Sequence, residues 1–249
     1  MRTKTLLLSA AALLAAGIVS TQAQPVYSQN VVGYANVVTA GGTFMMTVPF
    51  AIGQSNGANE IWPLMSDNVT PTIPDGSTLL IWTGTKYVAY VSDSGSPTLW
   101  DMFDGATPTN APILKVGQGF FLTPSAATTN VFAGTIAVNV GTSNLTTLAG
   151  GTFLVAPAVP YGGSVTNGNL TTGAGGPNLW SPDGVQGLPD GSTMLVWTGT
   201  KYTAYVSDSG SPTYWDMFDG ATPTNAPVIN VGQGFFITPS ASFAWRVGL

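Results

Sequence analysis

The feature that most constrains this 249-residue chain is an internal repeat. Residues 75–125 align with residues 190–240 at a constant offset of 115, and 43 of the 51 aligned residues are identical. Further upstream, the Gly-Gly-Thr-Phe sequence of residues 41–44 returns at residues 150–153, so the second copy has gained six residues in between. Such similarity predicts one fold repeated in tandem, with each copy long enough to bury a core of its own.

The pattern within each copy is typical of short β-strands. Residues 78–83 are apolar and β-branched, and Gly84 separates them from a similar run at residues 86–91, which predicts a hairpin. Residues 116–123 predict another strand, and the Gly-rich residues 161–176 predict a surface loop. No segment of helical length shows a 3.6-residue period. We therefore predict an all-β protein with two tandem β-sandwich or small-barrel domains from an internal duplication.

The first residues predict export. Arg2 and Lys4 precede an apolar run at residues 6–19, and the small residues Thr21 and Ala23 suit a signal peptidase. Residues 1–23 are thus interpreted as a signal peptide, followed by repeat 1 (residues 24–137) and repeat 2 (residues 138–249). The apolar run is too short for a typical membrane span. The expected location is secreted, either extracellular or at the cell surface.

The mature chain predicted by this cleavage has unusually few charged residues and is acidic. Its cations are Lys86, Lys115, Lys201 and Arg246 against eleven carboxylates, so the formal charge moves from −5 to 4 − 11 = −7. This balance excludes a basic surface for nucleic acid or an anionic membrane. Charged residues make up only 7% of the chain. Surfaces with so little charge associate readily, so the chain itself is an expected partner.

The missing residue types narrow the chemistry further. The chain contains no Cys and no His, which removes thiolate nucleophiles, disulfides and the commonest general base and metal ligand. We therefore predict that the protein is not an enzyme and requires no cofactor.

A group of aspartates is the remaining candidate for polar chemistry. Three aspartates of repeat 1 recur in repeat 2, namely Asp93, Asp101 and Asp104 with Asp208, Asp216 and Asp219. They are candidates for a calcium site or a glycosidase carboxylate pair, but their spacing does not match an EF-hand. The favoured interpretation is that these side chains cap turns by accepting backbone N–H bonds.

Aromatic residues provide a candidate site for a neutral polysaccharide. The candidate stacking residues are Tyr90, Tyr205 and Tyr214. Strand alternation predicts that Tyr90 and Tyr205 are exposed, and that Tyr87 and Tyr202 point inward. The tryptophans at 82, 100, 197 and 215 are interpreted mainly as core residues.

The two ends of the mature chain are candidates for self-association. Residues 26–38 contain no charge and are apolar on both faces of an assumed strand, while the final strand ends early and predicts an unpaired edge. The candidate contact residues are Val26, Tyr27, Val31, Val32, Tyr34, Val37, Phe243, Trp245 and Val247. Strand addition at such edges predicts a filament or surface-layer subunit. The alternative is that the first strand completes its own domain.

Several short motifs resemble those of a group of functionally uncharacterised secreted proteins from verrucomicrobial-type bacteria. They are residues 26–36 (Val-Tyr-Ser-Gln-Asn-Val-Val-Gly-Tyr-Ala-Asn), residues 82–87 (Trp-Thr-Gly-Thr-Lys-Tyr), residues 116–121 (Val-Gly-Gln-Gly-Phe-Phe) and the final Trp245-Arg246. The resemblance spans most of the mature chain and implies a two-repeat β architecture and export. It implies no activity and no functional residue.

Overall fold

A computed structural model describes the folded part of the chain. The described residues are 32–52, 57–63, 72–136, 143–148, 150–157, 160, 162–165 and 188–248. The predicted signal peptide lies outside them.

The described chain is all β apart from one short helix. In chain order the elements are β1 (Val32–Thr39), β2 (Phe44–Thr47), α1 (Ala58–Ile61), β3 (Thr78–Trp82), β4 (Tyr87–Ser92), β5 (Trp100–Met102), β6 (Gly119–Thr123), β7 (Thr128–Thr135), β8 (Ser143–Leu148), β9 (Phe153–Val155), β10 (Gly163–Ser164), β11 (Thr193–Trp197), β12 (Tyr202–Ser207), β13 (Trp215–Met217), β14 (Val228–Ile229), β15 (Phe235–Thr238) and β16 (Phe243–Gly248). The predicted all-β class is confirmed.

Each copy of the repeated sequence forms an antiparallel five-stranded sheet. The strand orders are β2-β6-β3-β4-β5 and β9-β15-β11-β12-β13, which are equivalent strand for strand. The predicted hairpin is β3–β4, where Thr83 Oγ1 donates to the Lys86 carbonyl at 2.9 Å across the turn. The same bond joins Thr198 to Lys201 at 2.9 Å in the second sheet.

Two details of the sequence prediction were wrong. The strand expected at residues 116–123 begins only at Gly119, because Gly117 adopts a φ of 77° in a turn that Gln118 N–H closes on the Lys115 carbonyl at 3.0 Å. The segment predicted as a loop at residues 161–176 contains the short strand β10, which pairs with β14.

Successive side chains of a strand point to opposite faces of its sheet. Both faces of each sheet carry apolar side chains. In β3, Leu79 and Ile81 face the core of repeat 1, which also contains the fully buried Trp100. Leu80 and Trp82 pack on the opposite side, against a second cluster shared with repeat 2. Trp215 is the equivalent buried residue in the core of repeat 2.

A two-stranded ribbon of β1 and β7 covers the core of repeat 1 as a second layer. Phe132 is fully buried in that core, and Ala35 and Val37 pack against it. The amide of the buried Asn130 donates to the Val37 carbonyl and accepts from Trp62 Nε1 at 3.1 and 2.9 Å. These contacts leave only one face of the ribbon for solvent.

The ribbon has a counterpart in repeat 2. There β8 pairs with β16 in the equivalent register, in which Leu148 lies opposite Phe243 as Thr39 lies opposite Thr128. Both ends of the described chain are therefore tied into ribbons.

The two sheets meet through a shared apolar cluster formed by Met45, Phe121, Leu154 and Phe236, which we call the inter-repeat cluster. These four side chains are 4–7% exposed. Gly119 permits the close approach, because a Cβ there would lie 2.6 Å from Leu154 Cγ. Burial of this apolar surface joins the two sheets.

Hydrogen bonds cross this contact in equivalent pairs. Trp82 Nε1 donates to the Thr152 carbonyl at 3.0 Å, and Trp197 Nε1 donates to the Thr43 carbonyl at 2.6 Å. Backbone N–H groups do the same, from Thr47 to Gly232 and from Ala156 to Gly117, both at 2.9 Å. The contact is thus self-complementary, as in a two-fold symmetric dimer, although both halves belong to one chain.

Candidate functional site

The outward face of the β1–β7 ribbon is exposed and carries several apolar side chains beside the polar Asn36 and Thr129. Tyr34 is 74% exposed, Val38 64% and Val131 55%. The strand sequences Val-Gly-Tyr-Ala-Asn-Val-Val-Thr and Thr-Thr-Asn-Val-Phe-Ala-Gly-Thr contain no charged residue. Neighbouring exposed apolar side chains of this kind are typical of association surfaces.

One edge of β1 is also open. Thr135 directs both its N–H and its carbonyl away from β1, to Ala51 at 3.0 and 2.8 Å. Hydrogen-bonded and non-hydrogen-bonded residue pairs alternate along two antiparallel strands. By this alternation, Tyr34, Asn36 and Val38 of β1 belong to non-hydrogen-bonded pairs, as Thr135 does. Their backbone groups point away from β7, and no other described strand pairs with β1.

The residues predicted for self-association are only partly described. Val26, Tyr27 and Val31 lie outside the described residues. Val32 is the first residue of β1, and only its backbone is described. Tyr34 is exposed, whereas Val37 is half-buried against the core of repeat 1. Phe243, Trp245 and Val247 lie in β16, which pairs with β8 over its full six residues. β16 therefore has β8 as its partner on one edge, and no other described strand pairs with its second edge.

A second candidate surface is a groove between the repeats, which we call the inter-repeat groove. Its volume is about 620 Å³, within the usual range for ligand sites. Repeat 1 contributes the end of β1, including Val37 and Val38, and the strand β2. Repeat 2 contributes Trp197 and Tyr205 with the polar residues Thr198, Thr203, Thr224, Asn225, Asn230 and Gln233. None of the described residues lining it carries a charge.

Part of this polar lining is already hydrogen-bonded. Gln233 Oε1 accepts from the backbone N–H and the side-chain Nδ2 of Asn230 at 2.9 and 3.1 Å, and Gln233 Nε2 donates to the Trp197 carbonyl at 3.3 Å. These bonds fix Asn230 relative to Trp197. Thr203, Thr224 and Asn225 add hydroxyl and amide groups to the lining, and no other described residue hydrogen-bonds to their side chains.

The predicted exposure of the strand tyrosines was wrong. Tyr90 and Tyr205 are half-buried and pack against the cores of their own repeats, whereas Tyr87 and Tyr202 are each 41% exposed. The prediction assumed one solvent face per sheet, but the structure covers both faces. Tyr87 lies beside the rings of Trp82 and Phe121, and burial, followed by the nearby Tyr202, raises the pKa of Tyr87 from 10.0 to about 12.

The three candidate stacking tyrosines therefore occupy different surroundings. Tyr205 lines the inter-repeat groove and makes an edge contact with Trp215 at 6.4 Å. Tyr90 does not line that groove. Tyr214 is 42% exposed in a loop where its φ of 61° is left-handed, as is that of the equivalent Leu99.

The four tryptophans interpreted as core residues divide into two classes. Trp100 and Trp215 are fully buried, as expected for core residues. Trp82 and Trp197 are half-buried at the contact between the repeats.

The aspartates at turns act as the turn interpretation predicts. Asp93 accepts from Gly95 N–H at 2.8 Å, and Asp104 accepts from Thr107 Oγ1 at 2.6 Å and from the N–H groups of Ala106 and Thr107. The Thr107 hydroxyl, followed by these N–H groups, lowers the pKa of Asp104. Asp219 forms the same turn in repeat 2.

Asp101 and Asp216 differ from the turn aspartates because each is only 2% exposed. In each of them Oδ1 is buried without a hydrogen-bond partner. The described residues contain no group of three or more potential metal-ligating side chains around them.

Sequence reasoning missed most of the inter-repeat groove, although the comparison of the two copies contained a signal. The copies differ at eight of 51 aligned positions, and four of those positions in repeat 2, Val196, Thr203, Val228 and Asn230, line the groove.

The described residues form no helix long and apolar enough to cross a membrane. Comparisons with protein-family models, curated proteins and solved structures found no match to this chain.

Proposed function

We propose that this protein is an exported structural subunit that self-associates into a filament or surface layer through β-strand addition at β1. The observation that carries the proposal is the edge of β1, where three backbone positions have no partner among the described strands and exposed apolar side chains lie beside them. Main-chain hydrogen bonds would supply the pairing, and Tyr34 and Val38 would supply buried apolar area.

The composition of the ribbon supports the same proposal. Monomeric β-proteins commonly protect an edge strand with Lys, Pro or a bulge. β1 contains none of these protective features over its eight described residues. Repulsion between copies is also weak, since charged residues make up only 7% of the chain.

The duplication gives the proposed contact a direction. β8, the counterpart of β1 in repeat 2, pairs with β16 alone among the described strands. Pairing β1 of one chain with β8 of the next leaves one edge open at each end of the assembly, so the assembly continues to grow. Pairing β1 with β1 would instead close at a dimer.

The proposal is tested with the mature protein, residues 24–249, by light scattering over a concentration series and by electron microscopy. We expect mass to increase with concentration beyond a dimer, and elongated or sheet-like particles to form. A chain that stays monomeric, or stops at a dimer, would overturn the proposal.

A matched pair of variants localises the contact. Asn36→Lys places a charge on the exposed outward side of β1, and Thr85→Lys places the same charge in the exposed β3–β4 turn. We expect Asn36→Lys to abolish growth and Thr85→Lys to leave it unchanged. Equal behaviour of the two variants would exclude β1 as the contact.

A further inference from the structure

The inter-repeat groove shares Val37 and Val38 with the end of β1, but the rest of its lining comes from outside β1 and its chemistry points to a different ligand. We infer that it is a binding site for a neutral carbohydrate chain. The charge of the lining favours such a ligand, because no described lining residue is ionic. An ionised ligand would therefore be desolvated without a counter-charge, which is unfavourable.

The groove also combines aromatic rings with hydroxyl and amide groups. Sugars present apolar C–H faces and a rim of hydroxyl groups. Trp197, Tyr205 and Val38 offer rings and apolar surface within one groove. The side chains of Thr203, Thr224 and Asn225, to which no other described residue hydrogen-bonds, offer donors and acceptors beside them. Apolar walls with a few placed polar groups are the usual composition of a small-ligand site.

Hydrogen bonds within the protein fix part of the groove before a ligand binds. Gln233 binds both nitrogens of Asn230 and also bonds to the backbone of Trp197. The amide oxygen of Asn230 remains as an acceptor at a fixed position. Preorganisation of this kind lowers the entropy lost on binding.

The equivalent residues of repeat 1 show which features belong to repeat 2 alone. Thr203 is replaced by Val88 and Asn230 by Lys115, so repeat 1 has lost a hydroxyl and an amide and gained a charge. Both replacements occur in an almost identical sheet. They therefore define substitutions that this fold accepts.

The test is electrophoresis of the mature protein through native gels containing a soluble polysaccharide. The acidic chain migrates towards the anode, and its mobility is compared with that in a gel lacking polysaccharide. Neutral probes are hydroxyethyl cellulose, arabinoxylan, glycol chitin and pullulan, and anionic probes are alginate and polygalacturonate. We expect retardation by at least one neutral polymer and by neither anionic polymer.

The double variant Thr203→Val/Asn230→Lys gives repeat 2 the residues already present in repeat 1. We expect its affinity for the retarding polymer to fall about tenfold or more, because the site loses two hydrogen-bonding groups. The control is the reverse exchange in repeat 1, Val88→Thr/Lys115→Asn, which should keep wild-type affinity. Asn225→Ala serves as a second groove variant and should also weaken binding.

Three results would overturn the inference: no retardation by any neutral polymer, equal retardation by the anionic polymers, or unchanged binding in both groove variants. None of these results bears on the edge of β1, because the groove variants lie outside both ribbons. Loss of self-association in the groove variants without any carbohydrate effect would identify the groove as a protein contact and would also overturn the inference.

Discussion

The inter-repeat cluster and the outward face of the β1–β7 ribbon present similar apolar chemistry in opposite surroundings. In the cluster, Phe121 and Phe236 are 6% and 7% exposed, because each sheet covers the other. On the ribbon, Tyr34 and Val38 remain 74% and 64% exposed. Within the described residues, the other repeat provides a partner for one apolar face, whereas no described element covers the other face.

The inter-repeat cluster also shows which interactions stabilise such an apolar face. The two sheets bury apolar side chains and at the same time exchange equivalent hydrogen bonds across the contact. The ribbon has the corresponding components, namely exposed apolar side chains and backbone groups that pair with no described strand. Strand addition at β1 would likewise combine apolar burial with hydrogen bonds, here between neighbouring chains.

The largest expected effect concerns the covered face. Phe121→Ala should lower the free energy of unfolding by about 3–5 kcal/mol, because it removes a buried ring from a cluster that cannot fully collapse. Phe236→Ala should cost a similar amount, since the contact is self-complementary. Guanidinium unfolding curves measure both values, and a large loss in only one variant would contradict the symmetric description.

A smaller effect is expected from the exchanged hydrogen bonds. Trp82→Phe and Trp197→Phe each keep a ring but remove the indole N–H that bonds to the other repeat. Each variant should lose about 1 kcal/mol of unfolding free energy. Unfolding curves that match those of the wild type would show that these bonds do not stabilise the contact.

The margin of the covered face should respond to alkaline pH. The pKa of Tyr87 is raised from 10.0 to about 12, and burial also raises the pKa of Tyr202. Because these pKa values are raised in the folded state, their contribution to folding stability is complete below pH 10. That contribution is lost as the pH rises through the pKa of the folded state. We expect stability to fall between about pH 10 and pH 12, and Tyr87→Phe should reduce this fall in melting experiments.

The smallest stability effect is expected on the uncovered face. Val131→Thr should change the unfolding free energy of the monomer by less than about 0.5 kcal/mol, because the side chain is exposed. The same substitution should weaken self-association measured by light scattering. A large loss of monomer stability would mean that this face already has a partner within the chain.

Local chemistry explains which parts of the fold were predictable. The β3–β4 hairpin follows from two apolar runs joined by Gly84, whose φ of 98° the turn requires. The Asp104 turn follows from the same short-range chemistry, since the carboxylate bonds to N–H groups two and three residues later.

Long-range contacts explain what sequence reasoning missed. The orientation of Tyr87 and Tyr90 was wrong because the alternation of β4 was assigned to one core and one solvent face. The sheet instead has a core on one side and the other repeat on the other side. The inter-repeat groove was missed for the same reason, because Val38 and Asn230 lie far apart in sequence and meet only through the packing of the two repeats.

Residue-specific amide hydrogen exchange tests the central claim most directly, because it reports on the edge of β1 itself. In the dilute mature protein, the amides of Tyr34, Asn36 and Val38 should exchange fast, while those of Gly33, Ala35 and Val37 are protected by β7. In the assembled protein the first three should become protected as well. Assembly that leaves those three amides exchanging fast, or the absence of any assembly, would contradict association through this strand.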